Sequence, residues 1–337
     1  MMDAARLTPE QLTDRTFAAE VQYFRTDPRY WPTILDRLVE TGLKTVTSYV
    51  PWEWHLVGEP SGTHPAGELD FDGRTHPSLN LHHFLELVTE RGLGMNFRAG
   101  PFCCAEMPNG GLPPWLTVGD PNIMAWDYTG RPAQGYWIAR REGMQPSYLH
   151  PTVLDWCRKW IEQVGPIVKQ HLASQGGCVT MINLDNEVSY IVRDSLLGVD
   201  YNPVNIDRGG FYHQFLREKY GDNELPYGPR TAPIEDIQPP RAVPEQIGDD
   251  LAWYIDWAEF KTWAMKRYLA ELRGMYEAQS IDAAAGVSFM TNLNPHRPEG
   301  VPTRMPDFEE GTGPGGLVGY DFYRGKFMSY SGYHSMA

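Results

Sequence analysis

No apolar run in this 337-residue sequence approaches the roughly 20 residues needed to span a bilayer. Basic residues are scarce as well: 29 Lys and Arg stand against 43 Asp and Glu, a net charge of −14. A field of that sign repels phosphate backbones and anionic lipid, so neither nucleic acid nor a membrane is an expected partner. The four cysteines form no disulfide framework and no metal-ligand spacing, since Cys103 and Cys104 are adjacent while Cys157 and Cys178 lie far away. The amino terminus, Met-Met-Asp-Ala-Ala-Arg, lacks the basic-then-apolar shape of a secretion signal, and a reducing cytoplasm is the expected location. A glycine-rich turn is missing after the first expected strand, where Tyr23-Phe24-Arg25-Thr26-Asp27-Pro28 follows. That argues against a doubly wound nucleotide-binding sheet. The run Gly311-Thr312-Gly313-Pro314-Gly315-Gly316 precedes a strand rather than a helix and is poorly placed to cradle phosphate. No cofactor and no metal is expected. His82 and His83 sit on a helix, where neighbours point about 100° apart and cannot share an ion.

What is present is a soluble, globular composition: 42% hydrophobic and 21% charged residues, with 11 Trp, 18 Tyr and 13 Phe. Composition alone assigns those rings to a large core; the sharper alternative is a site where flat rings cover sugar faces. A unit recurs along the chain, in which helical periodicity ends in Gly-Leu and a strand follows. Trp31, Ile34, Leu35, Leu38 and Val39 share one face before Gly42-Leu43; Leu81, Phe84, Leu85 and Val88 do so before Gly92-Leu93. Glycine just past a helix takes the left-handed conformation cheaply and turns the chain back toward a sheet. The pattern predicts parallel βαβ units, with strands near 17–22, 45–50, 94–98, 179–184, 286–291 and 317–321. A helix carries Val153, Trp156, Cys157, Trp160, Val164, Ile167 and Val168, and a longer one near 250–278 carries Trp257, Phe260, Ala264 and Tyr268. Residues 192–249, rich in Pro, Gly, Asn and Asp, read as a loop-rich insertion with a short helix near 211–219. The expectation is an α/β fold of (β/α)8 TIM-barrel type, about six of eight strands present, as a single domain over 1–337 that is C-terminally incomplete.

In such barrels chemistry sits where strands end. Those positions here are polar and aromatic: Glu20 and Tyr23, Tyr49, Trp52 and Glu53, Arg98, Glu106 and Asn109, Asn186 and Glu187, Asn292 and Asn294, Asp321 and Tyr323. Together they predict a cup lined with hydrogen-bonding groups, suited to a polyhydroxylated ligand. Trp52, Trp54, Trp115 and Trp137 are the candidate sugar platforms. The most informative stretch is Cys178-Val-Thr-Met-Ile-Asn-Leu-Asp-Asn-Glu187, a buried-strand pattern ending in an amide and an acid. A carboxylic acid there can protonate a departing sugar oxygen while the amide holds a ring hydroxyl. Glu187 alone could equally be a strand-end ion-pair partner. Cleavage needs a second carboxylate. Glu309-Glu310, the only late acidic pair, lies in a Gly/Pro-rich loop with no strand before it and reads as solvated loop.

Four stretches, in order, carry a family resemblance: Ala19-Glu20-Val21-Gln22-Tyr23-Phe24-Arg25, Thr45-Val46-Thr47-Ser48-Tyr49-Val50-Pro51-Trp52, Arg98-Ala99-Gly100-Pro101-Phe102-Cys103-Cys104-Ala105-Glu106 with Gly110-Gly111-Leu112-Pro113-Pro114-Trp115-Leu116, and Leu184-Asp185-Asn186-Glu187. They resemble glycoside hydrolase family 35, the β-galactosidase family of retaining exo-glycosidases, over roughly residues 17–190. The resemblance implies a carbohydrate substrate, Glu187 as general acid/base and Asn186 as partner of the sugar 2-hydroxyl. It implies that Tyr49, Ala105 and Glu106 touch the nonreducing-end sugar. It supplies no nucleophile, because the family's glutamate ends a seventh strand and no position here matches it.

Departures fall at Gln22, where the family usually has His, at Ala99 for Pro, at Met107 for an aromatic residue and at Asp185 for Glu. They leave the acid/base position intact and bear on which sugar is accepted. The expected function is removal of a terminal β-linked sugar, β-galactosidase-like. The competing expectation is a sugar-binding barrel or fragment without catalysis because the nucleophile is lacking.

Overall fold

In a computed structural model of the protein, the described residues are 18–103, 107–133, 145–186, 199–221, 225–227, 232–242 and 249–291. Strands β1 (Ala18–Glu20), β2 (Thr45–Tyr49), β3 (Leu56–Gly58), β4 (Glu68–Leu69), β5 (Gly94–Arg98), β6 (Val179–Asn183) and β7 (Ser288–Met290) are separated by helices α1 (Trp31–Glu40), α2 (Trp52–His55), α3 (Leu81–Glu90), α4 (Pro151–Gln170), α5 (Pro203–Ile206), α6 (Phe211–Tyr220) and α7 (Asp249–Glu277). Five strands form one sheet in the order β1-β2-β5-β6-β7, and every pairing in it is parallel. β3 and β4 make a small antiparallel hairpin on the loop after β2. The five parallel strands match five of the six expected; the sixth, at 317–321, lies outside the described residues. The sheet with helices between its strands is the expected α/β architecture, and it is not closed into a barrel among the described residues.

Local sequence explains the repeat. α1 and α3 each stop two residues before a glycine in the left-handed region, Gly42 at φ 82° and Gly92 at φ 63°. Any side chain there would be strained, and the turn delivers the chain straight into β2 and β5. The inner strands run nearly buried along their length, as a sheet covered on both faces requires. α4 begins with Pro151 in its first turn, with the His150 side chain accepting from the Thr152 amide, and it buries Val153, Cys157, Trp160, Val164, Ile167 and Val168 against the sheet. Its Trp156 is only partly buried and carries the Lys159 ammonium 4.1 Å from its ring centroid. α7 buries Trp257, Phe260, Ala264 and Tyr268, the stripe expected from sequence.

Two expected rim residues are core instead. Trp52 is fully buried, stacked on Trp160 at 5.2 Å, with its indole nitrogen donating to the Ala66 carbonyl. It cannot be a sugar platform, because the fold needs its faces for packing. Tyr23 is fully buried on Phe84, and its hydroxyl lies 2.6 Å from His55 Nε2. His55 Nδ1 lies 2.6 Å from the Asp70 carbonyl, which can only accept; Nδ1 therefore carries the proton and Nε2 accepts from Tyr23. Burial pushes His55 down to about 4, so the ring stays neutral. Of the other platform candidates, Trp54 and Trp115 are half-buried against the core and Trp137 lies outside the described residues.

Within the insertion, the helix expected near 211–219 is α6, Phe211–Tyr220. α5 and α6 pack together, and α6 is tied to α7 through Asp256. That carboxylate is buried and accepts from Lys219 Nζ at 2.6 Å, Tyr220 at 2.9 Å and Tyr227 at 2.5 Å.

Candidate active site

β2, β5 and β6 end side by side because their register is parallel and continuous, with Tyr49 paired to Arg98 and Phe97 to Ile182. Their next residues therefore meet at one edge of the sheet. Arg98 is at the centre and 6% exposed. Its Nη1 donates to Glu20 Oε2 at 2.9 Å, its Nη2 donates to Asn186 Oδ1, and its guanidinium carbon lies 3.9 Å from the Tyr49 ring centroid. Tyr49 donates its own hydroxyl to the same Asn186 oxygen at 3.2 Å. Among the described residues Arg98 Nε, although buried, has no acceptor. A desolvated cation is costly unless paired, and here one carboxylate, one amide oxygen and one ring face share it. Four expected positions, Glu20, Tyr49, Arg98 and Asn186, are thus brought together.

Asn186 is fixed from its other side as well. Its Nδ2 donates to the Cys103 carbonyl at 2.8 Å and its amide to the Phe102 carbonyl at 3.3 Å. With Nδ2 donating and Oδ1 accepting, the amide orientation is set by its neighbours. Replacing Tyr49 by Phe removes one donor to Oδ1 and leaves the ring under Arg98. The expected cost is about 1 kcal/mol of stability, read by chemical denaturation, with no change in the cation–π contact.

Ala105, Glu106 and Glu187 lie outside the described residues, as do Asn292, Asn294, Glu309, Glu310, Asp321 and Tyr323. Their neighbours are placed: Cys103 and Met107 bracket Ala105 and Glu106, and Asn186 directly precedes Glu187. Cys103 donates its amide to the Gly110 carbonyl at 2.8 Å, which fastens the 107–111 turn beside the same strand ends. Asn109 in that turn hydrogen-bonds Glu53, the acid that follows Tyr49 on α2. Glu53 is half-buried, and its Oε2 is buried without a partner among the described residues. Burial pushes its carboxyl up to about 7, against the lowering by the Asn109 bond.

Asp185 is the residue that sequence reading undervalued, noting it only as a replacement for Glu. It is 1% exposed, and its Oδ1 accepts from the Phe102 and Asn186 amides, each at 3.0 Å. Its Oδ2 accepts from the Tyr268 hydroxyl of α7 at 2.7 Å. Burial raises this carboxyl to about 7 in spite of those bonds. A strand-end Asp followed by Asn-Glu was visible in the sequence; a tyrosine 83 residues away was not. A small apolar pocket lined by Phe102, Leu112, Tyr148, Val153, Cys157 and Tyr268 adjoins this acid through Tyr268 and offers too few polar groups to hold a sugar ring.

Among the described residues no group of three or more His, Cys, Asp or Glu side chains could hold a metal, and no helix is long and apolar enough to cross a membrane. Cys103, Cys157 and Cys178 are buried and form no disulfide among the described residues. Burial pushes the Cys178 thiol up to about 11, so it is no nucleophile near neutrality.

The family model described as Glycosyl hydrolases family 35 matches residues 7–125. The sequence is 37% identical over 262 residues to Exo-beta-D-glucosaminidase of Pyrococcus horikoshii, covering 76% of this chain and 31% of that protein. It is 31% identical over 270 residues to Beta-1,2-glucosyltransferase of Ignavibacterium album, covering 79% and 35%, and 28% identical over 209 residues to Beta-galactosidase of Felis catus, covering 62% and 24%. The chain thus spans about a third of the length of the first curated relatives it matches. Among solved structures it is similar to the beta-galactosidase of the psychrophilic Marinomonas ef1, with a TM-score of 0.57 at 14% identity, covering 82% of this chain and 37% of that one. It is also similar to the beta-amylase catalytic domain of Paenibacillus polymyxa, with a TM-score of 0.56 at 15% identity, covering 82% and 66%. At such identities the two structures speak to the fold alone.

Proposed function

The chain carries glycosyl hydrolases family 35 sequence at residues 7–125, and from that premise we propose that it carries the general acid/base of a retaining β-glycosidase acting on a terminal sugar. Glu187 is the proton donor to the leaving oxygen and then the base for water. Asn186 holds the 2-hydroxyl, and Tyr49, Ala105 and Glu106 contact the rest of the ring. The observation that carries this reading is the convergence of Arg98 and Tyr49 on Asn186, the residue that precedes Glu187, with Glu20 paired to the same Arg98. A buried cluster that fixes an amide at the mouth of parallel strands suits orientation of a hydroxylated ligand.

The same cluster bears on the sugar. Asn186 Oδ1 is already shared by a guanidinium and a phenol, so the 2-position of the ring lies beside positive charge. Like charges about 5 Å apart at an effective dielectric of 20 repel by about 3 kcal/mol, an amount the neighbouring Glu20 reduces. A neutral 2-hydroxyl is therefore favoured over a 2-ammonium, and a β-galactoside is the expected substrate. A second reading, a β-glucosaminide, is favoured by the 37% identity to Exo-beta-D-glucosaminidase.

The full-length gene product is expected to release p-nitrophenol from the β-D-galactopyranoside at least tenfold faster, in kcat/KM, than from the β-D-glucosaminide, with the first product retaining the β configuration by proton NMR. The reverse preference selects the second reading. Release of the α anomer rules out double displacement.

A further inference from the structure

We propose that Asp185 is a positioning residue for the reaction, a buried carboxyl that locks the backbone of Asn186, the residue before Glu187 in sequence, onto the loop that follows β5. The inference rests on the assignment of Glu187 as the acid/base. Asp185 touches no substrate position; it acts through its neighbours.

The geometry is that of a clamp. One oxygen, Oδ1, accepts amides from two segments, Phe102 after β5 and Asn186 after β6, each at 3.0 Å. The other oxygen accepts from Tyr268 on α7 at 2.7 Å, and the Asp185 carbonyl accepts from Thr291 Oγ1, just after β7, at 3.2 Å. Four elements thus meet on one residue that solvent does not reach. A carboxylate bridging two amides fixes their separation more tightly than separate partners could, and it leaves neither buried N–H unsatisfied.

No cation is bonded to this acid among the described residues. The groups whose charges it feels are Tyr268 and Tyr276 from α7 and Cys157 from α4, with Tyr148 beside Tyr268. Burial raises Tyr268, Tyr276 and Cys157 well above neutrality, so these three are uncharged at pH 7. Burial therefore governs its ionisation and raises it to about 7 from an ordinary value near 3.8. The folded state pays for ionising it, so its contribution to stability is complete below about pH 4 and is lost as pH rises to about 7. When protonated, Oδ2 must donate to the Tyr268 oxygen and the Tyr268 hydroxyl must turn away, while Oδ1 keeps both amides. An asparagine reproduces that protonated arrangement.

The test uses the full-length protein with p-nitrophenyl β-D-galactopyranoside and lactose. Asp185→Leu, which removes both acceptors, is expected to lower kcat at least thirtyfold on lactose with KM changed less than threefold. Asp185→Asn is expected to restore kcat to within threefold at pH 5.5, and to lack the change in kcat/KM near pH 7 that is expected of wild type. Its melting temperature should also stay level between pH 4 and 7 relative to wild type. Asp185→Leu with wild-type kcat, or Asp185→Asn with an unaltered pH profile, overturns the proposal. If Asp185→Leu does not fold, the Asp185→Asn profile decides. Glu187→Gln is run alongside: its full activity on lactose refutes the acid/base assignment and this proposal with it, whereas its inactivity beside unaffected Asp185 variants refutes only the clamp.

Discussion

Glu187→Gln in the full-length gene product is expected to abolish turnover of lactose, lowering kcat by a factor on the order of 10³, because a leaving sugar alkoxide cannot depart without its proton. General acid–base groups contribute typically 10²–10⁴-fold, and an unactivated disaccharide draws on most of that. A 2,4-dinitrophenyl β-galactoside is different, since its phenolate leaves unaided. With that substrate a burst of dinitrophenol should remain at near wild-type rate, followed by slow release, because water in the second step has lost its base. Azide, which needs no deprotonation, should speed the second step and yield the β-glycosyl azide. Double displacement also sets the partner carboxylate about 5–5.5 Å from Glu187. Wild-type kcat of the mutant on lactose would sink the catalytic assignment.

Gly100→Ala should be the most damaging single methyl that can be added beside the site. A Cβ there would stand 2.4 Å from Asp185 Cα and 2.7 Å from the Leu184 carbonyl oxygen. Neither atom can retreat, because β6 is hydrogen-bonded between β5 and β7. The loop must move instead, breaking the Phe102 amide's bond to Asp185 and the Asn186 bonds to the Phe102 and Cys103 carbonyls. The expected cost is about 3 kcal/mol, at the upper end for overpacking, together with a kcat loss of about 100-fold, some of it from displacement of Asn186. Gly274→Ala is the control: it lies in α7 with nothing within 4 Å and ordinary φ, and should stabilise the helix by up to about 1 kcal/mol. Thermal melts of the two variants side by side separate backbone collision from loss of glycine freedom. Equal melting temperatures would show that the strand ends are not packed as tightly as described.

The sheet was legible because its signals are local. Gly-Leu after each amphipathic helix announces the return to a strand, and the buried runs at Thr45–Tyr49, Gly94–Arg98 and Val179–Asn183 fall within a residue or two of their expected bounds. The convergence at Asn186 was partly legible, since strand-end positions of parallel units must meet. What periodicity could not tell was which aromatic residues the core consumes. Trp52 and Tyr23 follow strand ends as platforms would, yet each is claimed by a partner remote in sequence, Trp160 for one and His55 with Phe84 for the other. The weight on Asp185 was hidden for the same reason: its decisive partner, Tyr268, is set by how α7 packs across the sheet.

Asp256 and Tyr268 lie 12 residues apart on α7, so their anchorages are separated by about 18 Å of continuous helix. One gathers Lys219, Tyr220 and Tyr227; the other grips the end of β6. The helix is thus a tie-beam between a surface excursion and the innermost joint of the sheet. Loosening its outer anchorage, for instance by Asp256→Ala, would be transmitted as slack along the helix to Tyr268 and through it to the Asp185 carboxyl.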